Sequence, residues 1–372
     1  MKIAVIHDYL DVYGGAEVLA NAIFEVFPDA DVYTAKYNKQ LLNSLGIFKG
    51  AKIFFPNWAK YIPKKLLVLF LPFYFENLDL SKYDLVISST AHFAKGVKTN
   101  KNQLHISYIH TPPRFLYGYE SSTKNRNAWY MKILLWPIDL YLRYKDQQFA
   151  NRPDYLLCNS KEVQNRIKRI YKRDATVIYP FVQIGVAPEK KGLPLLFKYD
   201  NPPYLIVSRL ESYKNIDLTI NVCGKNNIRL KIAGDGSEME NLKKLASKYK
   251  TVKMFGLVSE EMKSALYQTC KAVVCSAKNE DFGISAIEPM AYGKPVVAVN
   301  RGGYLETVIE NKTGVFFDDL TEESLLEAIK KIDAIKWDSG EIKKHALSFT
   351  KEKFQRNIKN FVEGKLIPFH NS

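Results

Sequence analysis

Short apolar runs alternate with helix-compatible segments along almost the whole chain, and this alternation limits the possible folds more than any other feature. In the second half the runs are continuously apolar, which is typical of strands that are buried on both faces of a sheet. They occupy residues 204–208, 228–233, 252–255, 272–276, 296–299 and 314–317. Strands that alternate with helices in this way predict an α/β fold with a doubly wound parallel sheet.

The first half repeats the pattern less regularly. Its strand-like runs are 2–7, 31–34, 85–88, 106–109, 155–158 and 176–179, and its helical segments include 16–27 and 163–171. A chain of 372 residues is long enough for two such domains.

The domain boundary is predicted within residues 179–203, which are rich in proline and glycine. This gives a first domain of residues 1–183 and a second domain of residues 184–350. Residues 351–365 are expected to form an amphipathic helix with Phe354, Ile358, Phe361 and Val362 on one face. From its pattern alone this helix fits either domain.

Two glutamates, Glu280 and Glu288, flank a Phe-Gly step between two of the apolar runs. The loop that follows a parallel strand lies at the sheet edge where ligands bind. N–H groups at a helix start can hold an anion there, and carboxylates can accept hydrogen bonds from hydroxyls, so the motif suggests a sugar nucleotide. A glycosidase pair is disfavoured, because one glutamate lies on a loop and the other on the following helix. Pro289 predicts that this helix bends or starts late.

Two cations, Arg209 and Lys214, follow the first strand-like run of the second half. They are expected at the same sheet edge as Glu280, where they could neutralise a diphosphate. The alternative is a solvated surface loop.

Two further positions stand at strand ends in the first half. Gly14 and Gly15 would let the backbone approach an anionic ligand at a helix start, or they form a plain tight turn. His110 ends the run 106–109 and precedes a Thr-Pro-Pro turn. It could bind a sugar hydroxyl, transfer a proton or serve only the structure.

Aromatic and cationic residues are mixed in segments 58–75 and 129–144. Such segments can lie in a membrane interface. The alternative is that they form part of the ordinary core and surface of the domain. The most apolar run, 66–73, is far shorter than the roughly 20 residues that span a bilayer. The first eight residues are too short for a signal peptide. We therefore expect a cytoplasmic protein, either soluble or in contact with the inner face of the cytoplasmic membrane.

The net charge of +15 favours polyanionic partners such as phosphorylated substrates, anionic lipid or nucleic acid, or it reflects only a lysine-rich composition. Four scattered cysteines without a histidine cluster predict no metal site. No sequence signature of nucleic-acid recognition accompanies the charge, so no specific nucleic-acid partner is expected.

Several motifs together resemble those of a known family. In the second half they are Asp281-Phe282-Gly283-Ile284, Glu288, Met290-Ala291, Gly293-x-Pro295-Val296, Gly302-Gly303-x-x-Glu306 and Val308-Ile309 followed by Thr313-Gly314. In the first half they are His7-Asp8-Tyr9, Gly14-Gly15-Ala16-Glu17, Tyr83 to Ser88 and His110-Thr111-Pro112. With them, nearly the whole chain resembles the retaining glycosyltransferases of the GT-B fold, family 4, which carry an E-x7-E motif. The first half resembles the O-antigen mannosyltransferase branch.

The resemblance implies two Rossmann-like domains facing across a cleft, with the acceptor on the first and the nucleotide sugar on the second. It also implies that residues 351–372 cross back to the first domain and that no metal or other cofactor is needed. Catalytic roles would fall to Glu280, His110, Arg209 and Lys214. Donor contacts would come from these residues and from Gly14, Gly15, Phe282, Gly283, Ile284 and Glu288.

The function expected from this resemblance is transfer of a hexose, mannose from GDP-mannose, to a lipid-linked or surface-polysaccharide glycan. The alternatives are a UDP-sugar as donor, or a nucleotide-sugar epimerase of the same fold. A nucleic-acid-binding protein is a third alternative from a different class, and it rests on charge alone.

Overall fold

The computed structural model describes residues 1–12, 14–119, 129–183 and 201–370. These residues form two compact units. The first unit comprises the described residues up to 180 together with 351–370, and the second unit comprises 181–183 and 201–350. Most of the predicted boundary segment, residues 184–200, lies outside the described residues.

Strands and helices alternate through the first unit as far as residue 180. Its strands are β1 (Ile3–His7), β2 (Asp31–Thr34), β3 (Ile53–Phe54), β4 (Leu85–Thr90), β5 (Leu104–Ile109), β6 (Tyr155–Cys158) and β7 (Thr176–Val177). Its helices are α1 (Gly15–Val26), α2 (Lys39–Leu45), α3 (Lys64–Leu67), α4 (Leu71–Glu76), α5 (Trp129–Ala150) and α6 (Lys161–Tyr171). Short 3-10 turns cover Asn57–Tyr61, Ala94–Gly96 and Arg114–Leu116.

The second unit continues the alternation. Its strands are β8 (Tyr204–Val207), β9 (Leu230–Ala233), β10 (Val252–Gly256), β11 (Val273–Cys275), β12 (Val296–Val299) and β13 (Gly314–Phe317). Its helices are α7 (Ile216–Lys225), α8 (Met239–Ala246), α9 (Glu260–Thr269), α10 (Ile284–Met290), α11 (Tyr304–Thr307), α12 (Glu322–Ala334) and α13 (Ser339–Ala346), with a 3-10 turn at Ser212–Lys214. The last helix, α14 (Lys351–His370), belongs to the first unit.

Each unit holds one parallel sheet. Within the described residues the strand orders are β3-β2-β1-β4-β5-β6-β7 and β10-β9-β8-β11-β12-β13. All strand pairs are parallel, and β12 is buried along its whole length, which explains its continuous apolar sequence. The predicted α/β fold with two doubly wound parallel sheets is confirmed.

The strand order reverses direction at one place in each sheet. In the first unit this switch point lies between β1 and β4, and in the second unit it lies between β8 and β11. The loops that leave neighbouring strands diverge there, so a crevice for ligands opens at the carboxyl ends of these strands. Ligand-binding residues of each unit are therefore expected near these two places.

The last helix completes the core of the first unit. Phe354, Ile358 and Val362 are almost fully buried on one face of α14, which packs against α1 and β5. Lys351 Nζ lies 2.5 Å from Glu25 Oε2 of α1. No helix in the described part of the chain is both long and apolar enough to cross a membrane.

A buried ion pair fixes the long helix α5 to the sheet of the first unit. Lys95 Nζ lies 2.5 Å from Asp146 Oδ1, and both side chains are almost fully buried. Tyr117 and Tyr171 donate their hydroxyls to Asp146 Oδ2 at 2.7 and 2.8 Å. Lys95 also donates to the carbonyl of His92 in the loop after β4. This network connects α5, α6 and the switch-point edge of the sheet.

We predict that Asp146→Asn lowers the free energy of unfolding of the first unit by about 3–5 kcal/mol, because it leaves the charge of Lys95 buried without a counter-ion. Urea denaturation followed by circular dichroism measures the change. Lys225→Met is the control, since it removes an exposed pair with Glu322 and is expected to leave stability nearly unchanged. Equal effects of the two substitutions would contradict a special role for the buried pair.

Candidate active site

At the switch point of the second unit, two loops are joined by side-chain hydrogen bonds. Ser276, directly after β11, donates its hydroxyl to the carbonyls of Lys214 and Asn215 at 2.7 and 3.1 Å. Asn215 returns a bond from Nδ2 to the carbonyl of Ser276 at 3.0 Å. Asn215 itself has a φ of 48°, which asparagine tolerates better than most residues. The loops after β8 and β11 therefore form one connected rim.

Lys214 and Glu280 meet on this rim. Lys214 Nζ lies 2.7 Å from Glu280 Oε2, and only 12% and 15% of the two side chains are exposed. Burial alone would lower the pKa of Lys214, but the charge of Glu280 outweighs it and raises the pKa above its ordinary value. The ammonium group is therefore charged and fixed in position by the carboxylate.

Arg209 begins the same loop and its side chain is exposed. Its guanidinium donates to the hydroxyl of Tyr213 at 3.1 Å. Tyr213 and several nearby carboxylates, Glu280 among them, raise its pKa. The sequence placed Arg209, Lys214 and Glu280 at one sheet edge, and the structure locates all three in the two joined loops.

The loop that carries Glu280 rests on a turn of two glycines. Gly303 N donates to the carbonyl of Glu280 at 3.0 Å. A Cβ on Gly303 would lie only 2.4 Å from backbone atoms of Phe282, and one on Gly302 would lie 2.8 Å from the carbonyl oxygen of Glu280. Gly302 also has a φ of +63°. Only glycine allows the two backbones to approach this closely.

Helix α10 begins at Ile284, immediately after Gly283, whose φ of 92° requires glycine. It spans seven residues, so it does not start late, and Pro289 is its second-last residue. Glu288 lies on this helix and accepts a hydrogen bond from the hydroxyl of Tyr267 at 2.7 Å, with Lys263 Nζ at 4.0 Å. Glu280 and Glu288 thus have different partners.

A small concavity lies at the ends of β8 and β11. Its lining includes Ser208, Lys214, Ser276, Ser285 and Tyr304, together with apolar residues of the two strands. The cationic end of Lys214 and several hydroxyls are therefore brought to the switch point, a combination that suits an anionic and hydroxyl-rich ligand.

In the first unit, His110 follows β5 and is buried beside the switch point. Its Nε2 is hydrogen-bonded to Ser89 Oγ at 2.8 Å, and Ser89 also contacts His7 Nδ1. Burial, together with the nearby His7, lowers the pKa of His110 to about 3. The ring is therefore neutral at physiological pH, which favours hydrogen bonding over proton transfer as its role.

Gly14 and Gly15 form the start of α1, with Gly14 as its N-cap. A Cβ on Gly14 would lie 3.0 Å from Glu17 Oε2, whereas one on Gly15 would meet nothing within 4 Å. Burial alone would raise the pKa of the Glu17 carboxyl, but its interaction with His7, 3.9 Å away, lowers it. The glycine turn thus lies beside an ionised carboxylate, with open space above Gly15.

Asp8 organises the loop that follows β4. Its two carboxylate oxygens accept the backbone N–H groups of residues 91–94 at 2.7–3.0 Å and the hydroxyl of Thr90. Burial alone would raise its pKa, but the charges of His92 and His7 and these amides lower it. The carboxylate therefore shapes this edge of the first sheet.

Several residues that build these sites had no role assigned from the sequence. They are Asp8, Glu17, Ser89, Asn215, Tyr267, Ser276, Gly302 and Gly303. Asp8, Glu17 and the two glycines were named only as parts of the family motifs. Asp8 and Ser276 carried a usable signal, since a polar residue directly after a buried strand lies at the ligand-binding edge. Tyr267 carried no such signal.

Within the described ranges, no three histidine, cysteine, aspartate or glutamate side chains are grouped so that they could hold a metal ion.

Two family models match consecutive parts of the chain. Residues 13–185 match the model for Glycosyltransferase Family 4, and residues 189–345 match the model for Glycosyl transferases group 1. The division between them falls in the proline-rich segment that the sequence analysis singled out.

Several characterised relatives are similar over part of their length. The chain is 26% identical to the alpha-1,3/1,6-mannosyltransferase ALG2 of Dictyostelium discoideum over 293 residues, which cover 68% of this chain and 67% of that protein. It is 28% identical to ALG2 of Candida glabrata, and the matched residues cover 69% of this chain and 63% of that protein. Overall, the chain spans about half to two-thirds of the length of the curated relatives that it matches.

Solved structures share the fold over nearly the whole chain. The complex of HepE from Anabaena with UDP-glucose has a TM-score of 0.72 at 18% identity, covering 98% of this chain and 100% of that one. Sucrose-phosphate synthase from Thermosynechococcus elongatus has a TM-score of 0.75 at 16% identity, covering 99% and 100%. At this identity the similarity concerns the fold.

We predict that Gly303→Ala destabilises the second unit by at least about 2 kcal/mol, because the new Cβ would force the loop of Glu280 away from the glycine turn. The control is Gly364→Ala in α14, where a Cβ meets nothing within 4 Å. Since alanine is favoured over glycine inside a helix, this variant should gain about 0.5–1 kcal/mol. Urea denaturation measures both. The two substitutions are expected to change the free energy of unfolding in opposite directions. If Gly303→Ala leaves the stability unchanged, the close packing of the two backbones is refuted.

Proposed function

The chain belongs to the GT-B glycosyltransferases of family 4, and from this premise we propose that it transfers a hexose with retention of the anomeric configuration and without a metal ion. The proposed donor is GDP-mannose, and the proposed acceptor is a lipid-linked or surface-polysaccharide glycan. No cofactor is proposed besides the nucleotide sugar, which is a substrate.

The observation that carries this proposal is the fixed pair of Lys214 and Glu280 beside Arg209 at the switch point of the second unit. A nucleotide sugar brings a diphosphate, whose charge needs cations, and a hexose, whose hydroxyls need acceptors. We assign Arg209 and Lys214 to the diphosphate and Glu280 to the hexose. Glu280 holds the ammonium group of Lys214 in place before the donor binds. The side chain of Lys214 therefore needs little reorganisation when the diphosphate arrives.

In the proposed reaction, the bond between the anomeric carbon and the diphosphate breaks while negative charge grows on the distal phosphate. Arg209 and Lys214 stabilise this charge. The acceptor hydroxyl attacks from the face that the phosphate leaves, and the departing phosphate takes its proton. Glu280 and Glu288 accept hydrogen bonds from Lys214 and Tyr267, which suits binding roles better than nucleophilic attack.

The remaining donor contacts are assigned by motif. Glu288 would hold the ribose, and the backbone N–H groups of Phe282, Gly283 and Ile284 would contact sugar and phosphate. The first unit would contribute Gly14 and Gly15 at the phosphate. His110, a neutral hydrogen-bonding group, would bind a sugar hydroxyl.

Mannose is proposed because relatives in several organisms are named alpha-1,3/1,6-mannosyltransferases. A UDP-hexose is the second candidate donor, since HepE was solved with UDP-glucose. The proposed place of action is the inner face of the cytoplasmic membrane, where a lipid-linked acceptor would be held. An epimerase would need no acceptor, so product analysis separates that alternative.

We predict that GDP-mannose raises the melting temperature of the protein more than UDP-glucose or ADP-glucose does. At a hundredfold excess over Kd, binding stabilises the native state by about 2.7 kcal/mol. Lys214→Ala and Glu288→Ala are each expected to weaken binding by about 2–5 kcal/mol, which reduces the shift to about a third or less. Lys225→Ala, a lysine with an exposed partner in the same unit, is the matched control and should keep it. If both site variants retain the shift, the donor site is assigned wrongly.

A second prediction concerns the product. With GDP-mannose and a panel of glycosyl diphosphates that carry short lipid tails, proton NMR should show a new α-linked mannose, the configuration of the donor. Excess EDTA should leave the rate unchanged, because Arg209 and Lys214 supply the positive charge. A β-linked product would exclude retention. A rate that falls in EDTA and returns with Mg²⁺ would exclude metal independence.

A further inference from the structure

Exposed large apolar side chains are concentrated in two segments of the first unit. Among the described residues they are Trp58, Tyr61, Leu66, Phe70 and Phe73 in one segment, and Tyr130, Ile133, Leu134, Trp136, Leu140, Tyr141 and Tyr144 in the other. We term these twelve residues the aromatic face. The remaining exposed large apolar residues are scattered, which is normal for a protein surface.

Helix α5 carries apolar side chains on two faces. Ile138, Leu142 and Phe149 lie on the face that packs into the core of the first unit. Tyr130, Ile133, Leu134, Tyr141 and Tyr144 recur at helical spacing on another face, and all of them are exposed. A surface helix normally has one apolar stripe and a polar opposite face. The second stripe of α5 therefore has no role in the core.

The segment around α3 and α4 divides its residues in the same way. Leu67, Leu71 and Phe75 are buried in the core cluster that also contains Leu142 of α5. Leu66, Phe70 and Phe73 are exposed. Helix α4 packs against α5, and Lys145 Nζ of α5 lies 2.8 Å from Glu76 Oε2 at the end of α4. The two parts of the aromatic face thus belong to adjacent elements.

The sequence around the aromatic face is positively charged. Residues 51–75 contain four lysines, Lys52, Lys60, Lys64 and Lys65, and no acidic residue. Residues 129–144 contain Lys132 and Arg143 with one acidic residue, Asp139. These stretches are complementary to an anionic surface, since cations near an anionic leaflet are attracted to it.

The residue types favour lipid over protein as the occupant. Tryptophan and tyrosine are the side chains that collect at the boundary between hydrocarbon and headgroups. Lysine is depleted from protein–protein interfaces but accompanies interfacial helices that lie on anionic membranes. A second copy of this chain would bring the same positive charge against itself.

We infer that the aromatic face docks on an anionic lipid bilayer, with its apolar side chains in the headgroup boundary and the neighbouring lysines at the phosphates. This inference deepens the proposed function and rests on its membrane location, because it names the surface that would hold the enzyme beside a lipid-linked acceptor. It requires no membrane-spanning helix, and the described residues contain none.

The test is co-sedimentation of the full chain with vesicles of phosphatidylcholine, with or without phosphatidylglycerol. The wild type should bind the anionic vesicles more tightly, and salt should weaken this preference. Phe73 and Trp136, 68% and 65% exposed, are replaced by serine together. The double variant should bind about a hundredfold more weakly, or about tenfold for each inserted side chain.

The matched control is Leu347→Ser, which removes an apolar side chain that is 54% exposed in the second unit. It should bind vesicles like the wild type. Lys60→Gln tests the charge separately and should weaken binding about fivefold to anionic vesicles while leaving binding to phosphatidylcholine unchanged. Circular dichroism and urea midpoints verify that all variants are folded.

Two results would overturn the inference. One is equal vesicle binding by the double variant and by the control. The other is a wild type that ignores vesicles but self-associates in analytical ultracentrifugation, with self-association lost in the double variant, because the aromatic face would then be an interface between copies.

The transfer assay with a water-soluble acceptor separates the two proposals. If the lipid inference holds and the enzyme is a transferase, the double variant keeps its activity in solution but loses the gain that vesicles give the wild type on a lipid-linked acceptor. If only the proposed function fails, no donor is consumed while vesicle binding still depends on the aromatic face.

Discussion

The candidate site of the second unit depends on the hydrogen bonds between Asn215 and Ser276, which join two loops that are 61 residues apart in the chain. Each of these loops carries one partner of the pair between Lys214 and Glu280. Without the junction, the long side chains of Lys214 and Glu280 would have to give up rotamer freedom in order to meet. The entropy lost would cost about as much free energy as an ion pair at the surface contributes. With it, the backbone already brings them within reach.

The two units hold the loop at their switch point by different interactions. At both switch points a loop must be held in one conformation at the edge of a parallel sheet. In the first unit the buried carboxylate of Asp8 gathers four consecutive backbone N–H groups. In the second unit the Gly302-Gly303 turn allows direct contact between two backbones. One solution relies on charge-assisted hydrogen bonds and the other on the absence of side chains.

The sequence predicted the sheets well because a buried parallel strand must be apolar on both faces, and runs such as 296–299 show this directly. Strand β3, which is two residues long, was missed. The edge that carries Arg209, Lys214 and Glu280 could be predicted from strand ends alone. The contacts between these side chains could not be predicted, because they require β8 to lie next to β11. The contact of Tyr267 with Glu288 could not be predicted either, because it depends on helix packing. The apolar character of α5 was visible, but not which of its faces lies outside.

The return of α14 to the first unit has a consequence for how the protein is made. The described residues of the second unit all lie between positions 181 and 350, so its sheet can be completed during synthesis. The first unit has to wait for Phe354, Ile358 and Val362, which are translated only after the second unit. Until then the surfaces of α1 and β5 that these side chains cover are open to solvent and to chaperones. The unit that is translated first is therefore the one that finishes folding last.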